Sequence, residues 1–399
     1  LPPFDQKVRY LPSNLWNAFL PLPFLFVQVH LLLRYPPSRT LAYRWSIVPL
    51  VTLLSIRAGF AFHFDFEGEG QGSGRAQHLN FGLGVYAIYA ISKSLEWGSS
   101  TVRPHLKVSG GRRRRRRSHD QVERSAPDQN PTLPTFYPGT WTPLELDMML
   151  NMRGIGWEWG LPSSPPCQPV RTLSREQRNA WTVRRIRSFC LVYLLCDLLD
   201  SAVKNVDLNP AAGFERGGSV WLARQGVLGP LGPPCLVISL GFMVYAAIQA
   251  GNCLLGFLSV SILRDSPDRW EPLPFDRPWS ATSLRELWTF RWHQIFRRCF
   301  LRLAHDPVRN LLSRKIGRSG ARFAAVAAVF IYSALLHDWG QAAMVEGQGM
   351  WPTKTGAFFV LQGAGTLAEH GFQAWSGRRV GGILGWIWVY TWMTWTGLL

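Results

Sequence analysis

Apolar residues in this chain gather in runs of about 17 to 29 positions, separated by polar, arginine-rich stretches. Wound as helices, runs of that length match the hydrocarbon thickness of a bilayer. Eight stand out, at 14–34, 44–63, 80–97, 187–203, 235–263, 322–344, 354–372 and 381–398. The fourth is the shortest and carries Asp197 and Asp200. One such helix fits a soluble all-α protein; eight predict an all-α integral membrane protein of about eight transmembrane helices. The sixth run interrupts its own pattern. His337 lies two-thirds of the way along it, and Ser333, His337 and Gln341 fall four residues apart. They therefore share one helix face, while Val329, Phe330, Leu335 and Leu336 point elsewhere. Ionisable groups are expensive in hydrocarbon, so such a stripe should face a protein interior or a wet tunnel. His337 is the leading candidate functional residue; the alternative is a neutral imidazole satisfied by a neighbouring helix.

The polar connections carry patterns of their own. Thr142-Pro143-Leu144-Glu145 reads as a capping box with proline at the first helical position. It predicts a short helix with Leu144, Met148 and Met152 on its apolar side, resting on the membrane surface and ending before Gly154. Arg153-Gly154-Ile155-Gly156-Trp157-Glu158-Trp159 is a glycine turn whose tryptophans read as interfacial anchors. Ser283-Leu284-Arg285-Glu286 is a second capping box, and the helix it opens should run to about Ala304. On it Leu284, Leu287, Trp288, Trp292, Ile295, Cys299 and Leu303 share one face. Arg291, Arg297, Arg298 and Arg302 border or oppose that face, and His293 sits at its edge. Two readings stay open: an amphipathic cytosolic helix on anionic headgroups, or one re-entering the bundle with His293 at a cavity mouth. Residues 99–135, rich in Ser, Pro, Gly and Arg, should be disordered. This divides the chain into a three-helix membrane segment (1–98), a basic cytosolic insert (99–140) and a core with five further spans (141–399).

Charge refines this picture. The 399 residues are 47% hydrophobic and carry a net charge of +18, and the mean hydropathy is near zero. The positive charge sits in connections: 97–186 holds 15 Lys/Arg against 7 Asp/Glu, and 264–321 is also strongly basic. The positive-inside rule assigns both to the cytosol, leaving both termini lumenal. Arg112–Arg117 then reads as a solvated tract near anionic lipid heads. Nucleic-acid binding is set aside, because no aromatic platform or groove-reading motif accompanies the charge. The six cysteines show no C-x-x-C spacing and read as reduced apolar fillers, with no metal site expected. The chain starts at Leu1 without methionine and shows no cleavable signal, so both ends are expected to be trimmed.

Three stretches together carry a resemblance: Arg153-Gly-Ile-Gly-Trp157-Glu-Trp159, Ser283-Leu-Arg-Glu-Leu-Trp288-Thr-Phe-Arg291-Trp292-His293-Gln294, and Ser333-Ala-Leu-Leu-His337-Asp338. In order and spacing the chain resembles the wax-synthase-like branch of the membrane-bound O-acyltransferases, particularly its fungal secondary-metabolite acetyltransferases. The resemblance implies a helical bundle around an intramembrane tunnel. It also implies acyl transfer from acyl-CoA, here acetyl-CoA, to a hydroxyl of a hydrophobic acceptor of terpenoid or meroterpenoid type. By the same resemblance His337 matches the catalytic histidine, and His293 a second polar residue that is asparagine in many relatives. Trp288-Thr289 departs from relatives that carry glycine after the tryptophan. Arg285, Arg291, Trp292, Arg297 and Arg298 are the expected cofactor-binding residues, with the arginines on the coenzyme's phosphates. The expected setting is a multi-pass protein of the endoplasmic reticulum or a related endomembrane.

The chemistry suits the residues, because a neutral buried imidazole can take the hydroxyl proton as oxygen attacks a thioester. Adjacency on a helix turns Asp338 about 100° from His337, so Ser333, Gln341 or Glu369 is the better candidate orienter. Two rivals remain: a wax ester or sterol ester synthase using long-chain acyl-CoA, and a membrane transporter or scaffold with a path through His337, Asp197 and Asp200.

Overall fold

The computed structural model describes residues 6–66, 74–75, 77–107, 133–138, 140, 142–160, 174–205, 228–262, 265–270, 273–344 and 354–398. All eight apolar runs form helices: α1 (Trp16–Arg34), α2 (Pro37–Phe60), α3 (Gln77–Ser99), α5 (Arg175–Asn205), α6 (Gly232–Ser261), α8 (Asp306–Met344), α9 (Lys354–Ser376) and α10 (Gly382–Thr396). Two short elements complete the numbering, α4 (Leu144–Leu150) and α7 (Leu284–Glu286). Among the described residues, Trp16–Arg34, Gly229–Ser261 and Arg297–Met344 are long and apolar enough to cross a membrane. Two small two-stranded ribbons, Val8–Arg9 with Phe62–His63 and Asp65–Phe66 with Gly74–Arg75, are the only sheet described. The tract Arg112–Arg117, Cys167 and the side chain of Lys204 lie outside the described residues.

The centre of the bundle is α3, wedged between α1, α2 and α8. One face is built for close approach. A Cβ at Gly59 of α2 would press on Ala87, and one at Gly84 would run into the Trp339 carbonyl and Ala343 of α8. Without a strong hydrophobic force between helices in lipid, small residues that let backbones meet are the main source of packing. The opposite face, Gly82, Val85, Tyr86, Tyr89, Ala90, Lys93 and Trp97, is not closed by a neighbouring helix and lines a cleft.

Arg44 joins α2 to the end of α3. It is fully buried and donates to the carbonyls of Trp97, Gly98 (3.4 Å), Ser100 (2.8 Å) and Pro37 (2.7 Å). The last carbonyls of a helix have no intrahelical partner, so this guanidinium caps α3 across the bundle.

Three expectations about the connections change. The element opened at Pro143 makes no side-chain cap; Glu145 instead takes Arg34 (2.7 Å) and His30 (3.1 Å). Its helix is not a surface float, because Leu144, Glu145, Asp147, Met148 and Met149 are all buried. Trp157 is not an interfacial anchor either. It is fully buried and donates from Nε1 to Asp147 (2.7 Å), and Asp147 also pairs with Arg269. Finally, α8 extends well before Arg322, with a left-handed break at Gly317 (φ 74°) separating a basic amphipathic arm from the apolar rod.

The α3 packing can be tested with two glycines on different faces. Gly84→Ala should cost about 1–3 kcal/mol, the scale of overpacking. Gly82→Ala meets nothing within 4 Å and should be neutral or gain up to about 1 kcal/mol from helix propensity. Thermal unfolding of the two variants in detergent measures the difference; equal melting temperatures would contradict the close α3–α8 contact.

Candidate active site

His337 is held by two contacts. Its Nδ1 lies 2.7 Å from the carbonyl of Ser333. A carbonyl only accepts, so Nδ1 carries the hydrogen and Nε2 keeps its lone pair. The ring stacks on Phe359 at 3.8 Å between centroids and 25° between planes, with Phe81 on another side at 6.4 Å. The result is a neutral, oriented imidazole with one nitrogen free to accept a proton. Of the three candidate orienters, Ser333 serves, through its backbone rather than its hydroxyl. Gln341 instead donates to Thr355 (2.9 Å). Glu369 accepts from the backbone N–H of Leu284 (2.6 Å) and Arg285 (3.0 Å) and from Trp388 Nε1 (2.9 Å). It therefore caps α7 instead of touching the imidazole. Asp338 is fully buried against Gly356, whose lack of a Cβ makes room for the carboxylate.

His293 reaches the same region because the expected Ser283–Ala304 helix does not form as one piece. The capping box closes as read, with Ser283 Oγ accepting from Glu286 N–H at 3.1 Å. One turn later the backbone widens into a π-turn over Leu287–Arg291 and then leaves helical geometry at Trp292 (ψ 156°). Gln294 donates its amide to the carbonyl of Trp292 (2.7 Å), and helix resumes at Arg297. The break follows from crowding. Trp288 packs edge-on against Phe330 (6.2 Å) and Phe359 (6.0 Å) while Trp292 packs on Phe275 (5.0 Å). Regular α-helix would not let both indoles reach these pockets and also turn His293 inward. π-turns recur at functional sites for this kind of reason. His293 sits between Phe275, Trp292 and Phe296 and interacts electrostatically with His337. Its Nδ1 is buried without a hydrogen-bond partner. Several other buried side-chain atoms among the described residues share this condition, Tyr89 Oη and Trp288 Nε1 among them.

The expected cofactor-binding residues divide. Arg291 is taken up by the fold: it pairs with Glu286 (2.7 Å) and donates to Ser280 Oγ (2.8 Å) and to the carbonyl of Asp276 (3.1 Å). Trp292 belongs to the aromatic cluster just described, and Arg285 is exposed. Arg297 and Arg298 instead border a water-sized space of about 10 Å³ with Met152, Arg153, Trp159 and Gln294. Arg298 pairs with the buried Glu96 and lies 4.3 Å over the ring of Trp159. Lys93 reaches Glu96 from the other side (3.2 Å) and approaches the same indole (5.3 Å). Burial, and then the like charge of Arg185, pull the Arg153 guanidinium down to about 10. Two cations thus share one carboxylate, and Arg153 and Arg297 line the space next to Arg298. Sequence reading assigned nothing to Lys93, Glu96 or Arg153 as a group, since they lie far apart in the chain and only the fold assembles them.

A larger apolar cleft of about 330 Å³ runs beside this cationic cavity, and Met152 borders both. Phe296 lines the cleft and touches His293 at 6.0 Å. Asp197 and Asp200, by contrast, ride on α5, which packs chiefly against α6 and away from His337.

Residues 270–361, which hold both histidines, match the model of the membrane bound O-acyl transferase family. Over that segment the chain is similar to the family. It is 28% identical to an acetyltransferase of Humicola fuscoatra over 62% of this chain and 64% of that protein. It is 35% identical to a protein named as a long-chain-alcohol O-fatty-acyltransferase of Arabidopsis thaliana, over 25% of this chain and 28% of the relative. An O-mevalon transferase of Penicillium terrestre is 25% identical over 58% of this chain and 52% of its own length. The chain thus spans less than two thirds of each of these relatives, which are consistent with the wax-synthase-like branch. No solved structure matches it.

Arg291→Gln and Glu286→Gln should each destabilise the protein, by about 1–3 kcal/mol, the usual cost of orphaning a buried charged partner. Thermal melts and limited proteolysis across 276–291 measure this. A variant with wild-type stability and only a weaker hold on acyl-CoA would overturn the structural role.

Proposed function

We propose that this protein is a membrane-bound O-acyltransferase that transfers an acyl group, acetyl in the first instance, from acyl-CoA to a hydroxyl on a hydrophobic acceptor of terpenoid or meroterpenoid type. The single observation that carries the reading is the free Nε2 of a buried, backbone-anchored His337 beside the unpartnered Nδ1 of His293. In the proposed step the acceptor oxygen attacks the thioester carbon while His337 Nε2 takes the hydroxyl proton. The C–O bond forms and the C–S bond breaks. The proton returns to the departing sulfur, giving the ester and free coenzyme A. His293 supplies a hydrogen bond to the thioester oxygen as negative charge develops there, which is where a fixed donor contributes most.

The cationic cavity supports the donor side of this reading. Arg297, with Arg298 and Lys93 sharing one carboxylate, leaves positive charge suited to the phosphates of the coenzyme. Glu96 and Phe81 are 15 residues apart on α3, roughly 22 Å at 1.5 Å per residue. An extended pantetheine arm has to bridge a distance of that order between the cations and the His337 level. We also propose that all eight helices cross the bilayer, with the cationic cavity at the cytosolic end and the membrane that of the endoplasmic reticulum or a related compartment. Relatives named as acetyltransferases support the acetyl donor, and the long-chain-alcohol enzyme keeps ester synthesis with a fatty acyl donor as the second reading.

His337→Ala should lower acyl transfer by at least about a hundredfold, the scale of general-base loss, with unchanged expression and membrane insertion. Arg297→Ala should raise the KM for acyl-CoA several-fold and leave that for the acceptor alone. Coenzyme A release from purified protein, titrated with each substrate, reads both. Full activity of His337→Ala would remove the mechanism.

A further inference from the structure

The apolar cleft has a shape that the reaction itself does not require. Its α3 wall consists of Gly82, Val85, Tyr86, Tyr89, Ala90, Lys93 and Trp97, spaced three or four apart on one helix face. That stripe spans 15 residue steps, roughly 22 Å. Leu22 and Leu25 of α1 form the opposite wall, and Met149, Leu150 and Met152 close one end. The volume, about 330 Å³, is at the lower end of the range of sites that enclose a small molecule. The lining is aliphatic and aromatic, and its one charged side chain, Lys93, is already paired with Glu96. The cleft therefore has no charge to offer a phosphate or carboxylate. It is suited to an uncharged, elongated hydrophobic molecule.

Phe296 decides where such a molecule would lead. Its ring lines the cleft, meets Tyr89 edge-on at 5.7 Å and stands against His293 at 6.0 Å. It is the partition between the apolar space and the histidine pair. We propose that this cleft is the binding site for the hydrophobic acceptor alcohol, and that Phe296 sets which acceptors can present their hydroxyl to His337. This rests on the acyl-transfer reading for its chemistry, but the occupancy of the cleft can be read independently.

Gly82 provides the test, because a side chain added there meets nothing within 4 Å and points into the cleft wall. Gly82→Trp should fill the cleft without disturbing the fold. Gly241→Trp, a second position with open space but on α6 and outside the cleft, is the matched control. In full-length protein, a photoreactive farnesol analogue should label peptides covering 82–97 in the wild type and in Gly241→Trp. Labelling should fall at least about tenfold in Gly82→Trp at equal melting temperature. In the transfer assay the acceptor KM should rise by a similar factor in Gly82→Trp while the acetyl-CoA KM stays within about twofold. Phe296→Ala should shift preference toward bulkier alcohols. Labelling confined to peptides that do not line the cleft, or labelling and acceptor KM unchanged in Gly82→Trp, would overturn the proposal. So would a loss confined to palmitoyl-CoA, which would give the cleft to the donor's acyl tail. Intact labelling of a wild type that transfers no acyl group would leave the cleft assignment standing and sink the reaction.

Discussion

A carboxylate sealed between two cations is the constraint on which the rest of this structure depends. Glu96, Lys93 and Arg298 are drawn from the end of α3 and from the segment just after His293, and Glu96 and Lys93 are almost entirely buried. Removing ions from water costs several kcal/mol each, and only close, well-hydrogen-bonded pairing offsets it. The arrangement therefore tolerates few alternatives. Once Glu96 is placed on α3, Arg298 has to come to it, and the residues before Arg298 have to bend back into the bundle. Breaking one partner leaves an uncompensated charge, which is far costlier than losing the pair together. This is how a surface-looking basic segment becomes an internal one.

The same constraint explains the irregular backbone between Leu287 and Phe296. The segment is pinned at one end by Glu369, which holds the first N–H groups of α7, and at the other by Glu96. Between the pins, two indoles and one imidazole must all point inward. The π-turn and the break at Trp292 meet that requirement, and Gln294 repairs a carbonyl that the break exposes. Local backbone irregularity is thus a consequence of where the side chains must go, and it is what brings His293 to His337.

Long apolar runs were legible because a bilayer-length helix needs only composition, and a helix now covers each of the eight. His337 was legible for the same reason, as a polar interruption at helical spacing. What could not be read was everything set by partners distant in sequence. Trp157 and Trp159 looked like interfacial anchors because tryptophan usually is; Asp147 and the Arg298–Lys93 pair, remote in the chain, make them internal. Arg291 and Arg298 were indistinguishable as members of one basic helix, yet Glu286 takes the first and Glu96 the second. The face periodicity over 284–303 misled because it assumed 3.6 residues per turn across a π-turn. No propensity in Trp-Thr-Phe-Arg-Trp-His announces that change; only the packing of both indoles demands it.

Two compartments of opposite character therefore meet beside one pair of imidazoles. The cationic one is lined by Arg153, Arg297 and Arg298. The apolar one is empty of helix because the α3 face that lines it carries a glycine and an alanine among its aromatics. Met152 and Phe296 stand at their junction, and His293 keeps a buried nitrogen without a partner there. A protein that only needed stability would have filled the cleft and satisfied that nitrogen, since a void and an orphan polar atom each destabilise the fold. Retaining both at one point fits the proposed need for room for two reactants of different polarity.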